Sequence, residues 1–267
     1  MAPPDRPSTG PADRPRDWAG PVYDRISAPQ QRWGSAVVDR LDPTGLGTVV
    51  DAGCGTGRVT ARLLDRLPDA TVIGVDGSAS MLAQAAHTLA PAISERRVQL
   101  VHADLRHPLP LREGSVDAVV STATFHWLLD HDALFAHLAA VLRPGGQLVA
   151  QCGGAGNIAS VVRVLRELGE DWTPWHFATP GETQDRLESH GFEQVRTWAH
   201  SEPTTFASRN ELEEFLATVV LGPHLERRPP EAGAALVKQV SAGLAEPVID
   251  YVRLNIVARR AAAAAAR

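Results

Sequence analysis

The run VVDAGCGTG, residues 49–57, places a carboxylate, Asp51, ahead of three glycines, Gly53, Gly55 and Gly57, at a strict spacing of two. Glycines there admit positive φ and let a ligand press against the backbone. A carboxylate in that position repels a pyrophosphate but can accept hydrogen bonds from an ammonium group. Asp76, in TVIGVD, comes 25 residues after Asp51, and Asp104 follows in VHADL. A carboxylate at the second position can hold both hydroxyls of a ribose. One at the third can accept from the exocyclic amine of a purine. Taken singly, Asp76 could cap the helix starting near Ser78, and Asp104 could be a turn residue.

The elements around these residues decide between the readings. TVVDA (48–52), TVIGV (71–75), VQLVHA (98–103), VDAVVS (116–121) and QLVAQC (147–152) read as buried strands. Amphipathic stretches alternate with them, such as Val59, Leu63, Leu64 and Leu67, or Leu134, Phe135, Leu138, Val141 and Leu142. RPGGQ (143–147) reads as a turn. Alternating strands and helices predict an α/β fold with a doubly wound, mostly parallel sheet. The three carboxylates then fall at successive strand ends, where open α/β sheets bind ligands, and the first helix offers free N–H groups beside the glycines. Amino acid, ribose and adenine in that order describe S-adenosylmethionine. A nicotinamide site would space its glycines G-x-G-x-x-G, which disfavours a dehydrogenase.

The segments VVDAGCGTG, VIGVDGSASML, VHADL, VDAVVSTATFHWL and LRPGGQLVA resemble, in order and spacing, the motifs of class I S-adenosylmethionine-dependent methyltransferases. The resemblance covers residues 45–152. It implies a seven-stranded, Rossmann-like sheet whose last strands form a hairpin. It also implies cofactor contacts at Asp51, Gly53, Gly55, Gly57, Asp76, Met81, Asp104 and Leu105, with Gly77, Ala103 and the strand-end Ser121 beside them. Met81 would pack on the adenine face. An N-terminal helix would close over the site, with Arg32 reaching the cofactor carboxylate and Tyr23 lining the acceptor pocket; the alternative is a surface helix with solvated arginines. Within the superfamily, STATFHWLLDHDALFAHLAAVLRPGG is most similar to small-molecule enzymes of the trans-aconitate methyltransferase type, which O-methylate carboxylates.

Methyl transfer from a sulfonium mainly requires alignment and exclusion of water. A carboxylate acceptor needs no base, whereas an alkene or alcohol does. His126 and Trp127, in the loop after the fourth strand, either face the acceptor and cofactor or pack under the next helix. Asn157 either approaches the substrate or caps a helix. Trp175 and His176 in GEDWTPWHF line the acceptor pocket or plug the cap. Arg253 can hold an anionic acceptor or pair with a carboxylate on the sheet face. His126, Tyr23 and Glu170 are the candidate catalytic groups. Two chemistries follow: O-methylation of a small anionic acceptor, with a carboxylate favoured, and C-methylation of an alkene such as a prenyl diphosphate. A cofactor-binding protein without transfer activity is the reading of another class.

Composition narrows the setting. The chain has 267 residues, 44% of them apolar, with a formal net charge of -5. A mildly acidic chain is a poor general binder of nucleic acid. Cys54 and Cys152 have no zinc or disulfide spacing, which suits a reduced, cytoplasmic protein. No apolar run approaches the ~20 residues of a membrane span, and the Pro-rich N-terminus does not read as a signal peptide. The expected organisation is a disordered tail (1–17), a cofactor-binding core with a lid helix (18–152), a cap with remaining sheet elements (153–246), a final strand (247–260) and a tail (261–267). The oligomeric state is not readable.

Overall fold

The computed structural model describes residues 16–18 and 28–262, with the backbone alone described for 28–32. Helix α1 (Ala28–Val38) precedes β1 (Thr48–Ala52). Then follow α2 (Arg58–Arg66), β2 (Thr71–Asp76), α3 (Ala79–Thr88), α4 (Ala90–Ser94), β3 (Val98–His102) and β4 (Val116–Thr122). A 3₁₀ turn (Phe125–Trp127) leads to α5 (His131–Val141) and β5 (Leu142–Gly153). The second half holds α6 (Ala159–Glu167), α7 (Pro180–Ser189), β6 (Phe192–Ser201), β7 (Thr204–Thr205), α8 (Arg209–Phe215), α9 (Gly222–Leu225), α10 (Pro230–Gly243), β8 (Val248–Ile249) and β9 (Val252–Arg260).

The main sheet has seven strands in the order β3-β2-β1-β4-β5-β9-β6. The first five are parallel; β9 lies antiparallel between β5 and β6. Both faces are buried, and alternation along each strand shows why. Val49, Val72, Ala118 and Val120 pack with the α1–α3 side, while Val50, Val75 and Val119 pack with Leu134, Phe135 and Leu138 of α5. A third core, with Val161, Leu165, Phe215, Leu236 and Val240, forms the helical cap. Trp33 and Tyr251 join that core and so tie the cap to the sheet.

Local chemistry fixes the element ends. Ser78 caps α3 by accepting from Met81 N, so the cap the sequence allowed to Asp76 is Ser78's. Asp130 caps α5, and Thr179 with Glu182 forms a capping box on α7.

Two elements differ from the sequence reading. The RPGGQ stretch belongs to β5 and bulges: Val116 pairs with Leu142, but Ala118 pairs with Gln147. The late strand breaks after Ile249, because the Asp250 carboxylate turns to accept from Ser160 N and Oγ, and its first part pairs with β7 in a separate ribbon. Within the cap, α8 passes directly into a π turn, Leu216–Val220. Arg16 and Asp17, expected in the tail, are placed: Arg16 Nε donates to Glu226 Oε1 at 2.6 Å, and Ser78 Oγ donates to Asp17 at 2.6 Å. Among the described residues no helix is long and apolar enough to cross a membrane.

Candidate active site

One cavity of about 1210 Å³ opens between the carboxyl ends of β1–β4 and the cap. Its first half is built by strand ends. Gly53 N and Cys54 N donate to Val75 O at 2.8 and 3.0 Å, which folds the glycine turn against the end of β2. Asp76 then accepts from Gly55 N and Ser78 N, both at 2.8 Å. Burial raises the Asp76 carboxyl above the usual range, against the pull of those backbone donors. Gly55 has φ +53, and a Cβ there would meet nothing within 4 Å, so this backbone is open on the cavity side. Gly53, with φ +78, is closed instead: a Cβ would run into the Thr124 side chain.

Gly53, Gly55, Asp76, Gly77, Met81, Asp104 and Leu105 all line this half. Asp104 accepts from Arg106 Nε at 2.9 Å. Asp51, Gly57, Ala103 and Ser121 are not among the lining residues. Asp51 is 1% exposed beneath the turn and accepts from Thr60 Oγ1 at 2.6 Å. Burial pushes its pKa up to about 7, with the Asp76 charge adding to the rise. Gly57 lets α2 approach Leu89 and Ala85. Ala103 N donates to Asp76 O, and Ser121 Oγ to Ala52 O, so both brace the strand ends. The side chain of Arg32, and all of Tyr23, lie outside the described residues.

The donor set of this half fits an adenosyl ligand. Carboxylates at two consecutive strand ends match a vicinal diol and an exocyclic amine. Buried Met81 offers an apolar face, and Gly55 leaves backbone accessible.

The other half is aromatic. His126 is 8% exposed and lines the cavity. Gly153 N donates to its Nδ1 at 3.3 Å, which makes Nδ1 the acceptor and puts the ring proton on Nε2. Burial, with Arg253 and His131 nearby, holds its pKa well below the ordinary value, so the ring is neutral. Trp127 lies between Trp18 at 5.2 Å and Trp175 at 6.1 Å. Trp175 stacks on Phe177 at 5.8 Å, and Phe177 on His126 at 5.9 Å. Arg253 is 1% exposed in the wall, its guanidinium 3.9 Å over the Trp33 ring and its Nε donating to Gln151. Asn157 also lines the cavity and accepts from Val252 N at 3.0 Å.

Of the expected acceptor and catalytic residues, His176 and Glu170 are not brought to this cavity. His176 stacks on His131 at 4.4 Å, and its Nδ1 is 2.9 Å from Leu129 O. Glu170 forms an ion pair with Arg228 and lines a smaller cavity of about 190 Å³. The structure adds residues the sequence did not single out: Thr122–Thr124 at the tip of β4, Phe177, and Arg16 with Trp18 across the mouth. Ala123 takes φ 57, a costly left-handed conformation. A non-glycine residue in that conformation beside a cavity is visible only in coordinates.

Residues 49–146 match the methyltransferase domain family. Trans-aconitate 2-methyltransferase of Shigella flexneri serotype 5b (strain 8401) is 36% identical over 135 residues, 51% of this chain and 50% of that one. The match therefore spans about half the length of that relative. Trans-aconitate 2-methyltransferase of Azoarcus sp. (strain BH72) is 28% identical over 242 residues, 85% of this chain and 89% of that one. In structure, Haemonchus contortus phosphoethanolamine N-methyltransferase 2 in complex with S-adenosyl-L-methionine is similar, with a TM-score of 0.61 at 20% identity. That likeness covers 91% of this chain and 56% of the other, and it is one of fold.

Sheet order, strand-end cavity and matched segment together define a Rossmann-like methyltransferase domain. Over this segment and beyond it the chain is similar to class I S-adenosylmethionine-dependent methyltransferases, the trans-aconitate methyltransferases among them.

Proposed function

We propose that this chain uses S-adenosylmethionine to methylate a carboxylate oxygen of a small acceptor. When bound, the cofactor supplies an electrophilic methyl group on a sulfonium. Asp76 holds the ribose hydroxyls, Asp104 the adenine amine, Met81 the base's apolar face, and the Gly55 backbone the amino-acid end. His126 donates its Nε2–H to one acceptor oxygen and so aims the other. Arg253 supplies positive charge from the wall, and the Trp127 ring excludes water.

One observation carries the reading. The histidine at the heart of the cavity has its acceptor nitrogen engaged by Gly153 N and so presents a donor. A donor orients a carboxylate, which is already ionised and needs no base; it cannot deprotonate an alcohol or a carbon centre. Glu170, another of the candidate bases, is held by Arg228 away from this cavity. The similarity to trans-aconitate methyltransferases supports the same chemistry.

The test is turnover with a panel of carboxylic acids, read as a base-labile methyl ester. His126→Ala should lower kcat about 10- to 100-fold, the worth of a hydrogen bond to a charged group, with S-adenosylhomocysteine affinity unchanged. His126→Gln, which restores a donor near Nε2, should recover most of that loss. A carbon-methylated product from a prenyl diphosphate, with no ester from any acid, would replace this reading. Cofactor binding without product from either substrate class would make the chain a binding protein.

A further inference from the structure

We propose that the acceptor is a monocarboxylic acid with a large apolar body, an acyl or aryl acid, rather than a small polyanion. The inference rests on the carboxylate reading above and narrows it to a substrate class. Aromatic residues make up only 5% of the chain, yet five of its six tryptophans line this one cavity. Trp127, Trp175 and Phe177 form a continuous ring-to-ring wall that starts at His126. Trp172 and Leu129, 43% and 62% exposed, mark its rim. Large apolar side chains left at a cavity mouth mark a surface that an apolar partner covers.

The charges point the same way. Among the described residues, leaving aside Asp76, Asp104 and Arg106 of the cofactor half, the wall carries three arginines against Asp130 and Glu226, an excess of a single positive charge. Arg16 pairs with Glu226 at 2.6 Å, and Arg106 with Asp104 at 2.7 Å. Arg227 stacks on Trp172 at 4.4 Å. A small tricarboxylate would bring three charges into an aromatic chamber with few cations to meet them, at a steep desolvation cost. A single carboxylate needs only the His126 donor and the Arg253 charge. Its apolar body then runs along Trp127 and Trp175 to the rim.

The experiment uses the full chain with S-adenosylmethionine and compares butanoate, hexanoate, octanoate, decanoate, cinnamate and trans-aconitate, quantifying methyl ester by mass spectrometry. Along the aliphatic series kcat/KM should rise about fourfold per methylene until the cavity is filled, from ~0.8 kcal/mol per buried CH₂. Decanoate should exceed trans-aconitate at least tenfold. A rise confined to cinnamate would identify an aryl acid and support the same class. Equal or better turnover of trans-aconitate, or a flat chain-length series with no gain on cinnamate, would overturn the inference while leaving carboxylate methylation intact. No ester from any acid would overturn both. Trp172→Ala at the exposed rim should raise KM for the preferred long acid about tenfold with kcat little changed, and Trp172→Phe should restore it. An unchanged KM would also overturn the inference.

Discussion

The two halves of the cavity are built in different ways. The cofactor half is made of strand ends: backbone N–H groups, glycines and two carboxylates, each fixed by the sheet beneath it. The acceptor half is made of rings drawn from the N-terminal segment and α1, the loop after β4, the segment before α7 and the link between β8 and β9. A sheet can hold a shared cofactor to within a hydrogen bond. A cap of packed rings can change shape to suit an acceptor without disturbing that grip.

The frameworks beneath the two halves also respond to pH with opposite sign, and this gives the largest expected effects. Asp51, beneath the glycine turn, titrates near 7 when folded because it is buried. Its ordinary value is 3.8. The folded state therefore binds the extra proton between those values, and this stabilisation is lost as pH rises through about 7. His131, stacked on the cap's His176, titrates near 4 when folded, again because it is buried. Its ordinary value is 6.5, so its contribution is complete above that pH and lost as pH falls toward about 4. In the wild-type protein the two terms oppose each other over one window. Asp51→Asn should make unfolding free energy climb more steeply from pH 4 to pH 7, by roughly 4 kcal/mol over the window. His131→Gln, which can keep the hydrogen bond to Phe125 O, should make it climb less, by roughly 3 kcal/mol. Denaturant titrations at intervals of pH read both slopes. Parallel slopes in the two variants would erase the contrast between the halves.

A second pair sharpens the boundary inside the cofactor half. Gly53→Ala adds a left-handed backbone penalty to a collision with Thr124 and should cost roughly 3 kcal/mol of stability. Gly55→Ala faces open cavity and should cost only about 1 kcal/mol, yet it should weaken S-adenosylhomocysteine binding strongly, because its methyl takes ligand space. Denaturation and calorimetry on the two variants separate a packing glycine from a ligand glycine.

The same division decides how much the sequence reveals. β1–β4, the glycine turn, Asp76 and Asp104 are legible because each motif is contiguous and the sheet places successive motif ends side by side. Asp51 shows the limit: its position in the motif is clear, but its orientation under the turn, toward Thr60, depends on packing. The acceptor half is hardly legible. Residues 170–179 have no helix to impose a period, and the chain runs through them without regular structure. Trp175 and Phe177 face the cavity while His176 between them turns to His131. His126 is visible as a candidate, but its role follows from Gly153, which lies 27 residues away and meets it only in the folded chain.

The most direct measurement is calorimetric titration of S-adenosylhomocysteine into the wild-type protein and Asp76→Ala. With the carboxylate at the tip of β2 holding the ribose, the variant should bind at least about 100-fold more weakly, a loss of roughly 2.7 kcal/mol, while its circular dichroism and unfolding midpoint show an intact fold. Equal affinity in a folded Asp76→Ala protein would contradict the strand-end site from which the rest of the chemistry is derived.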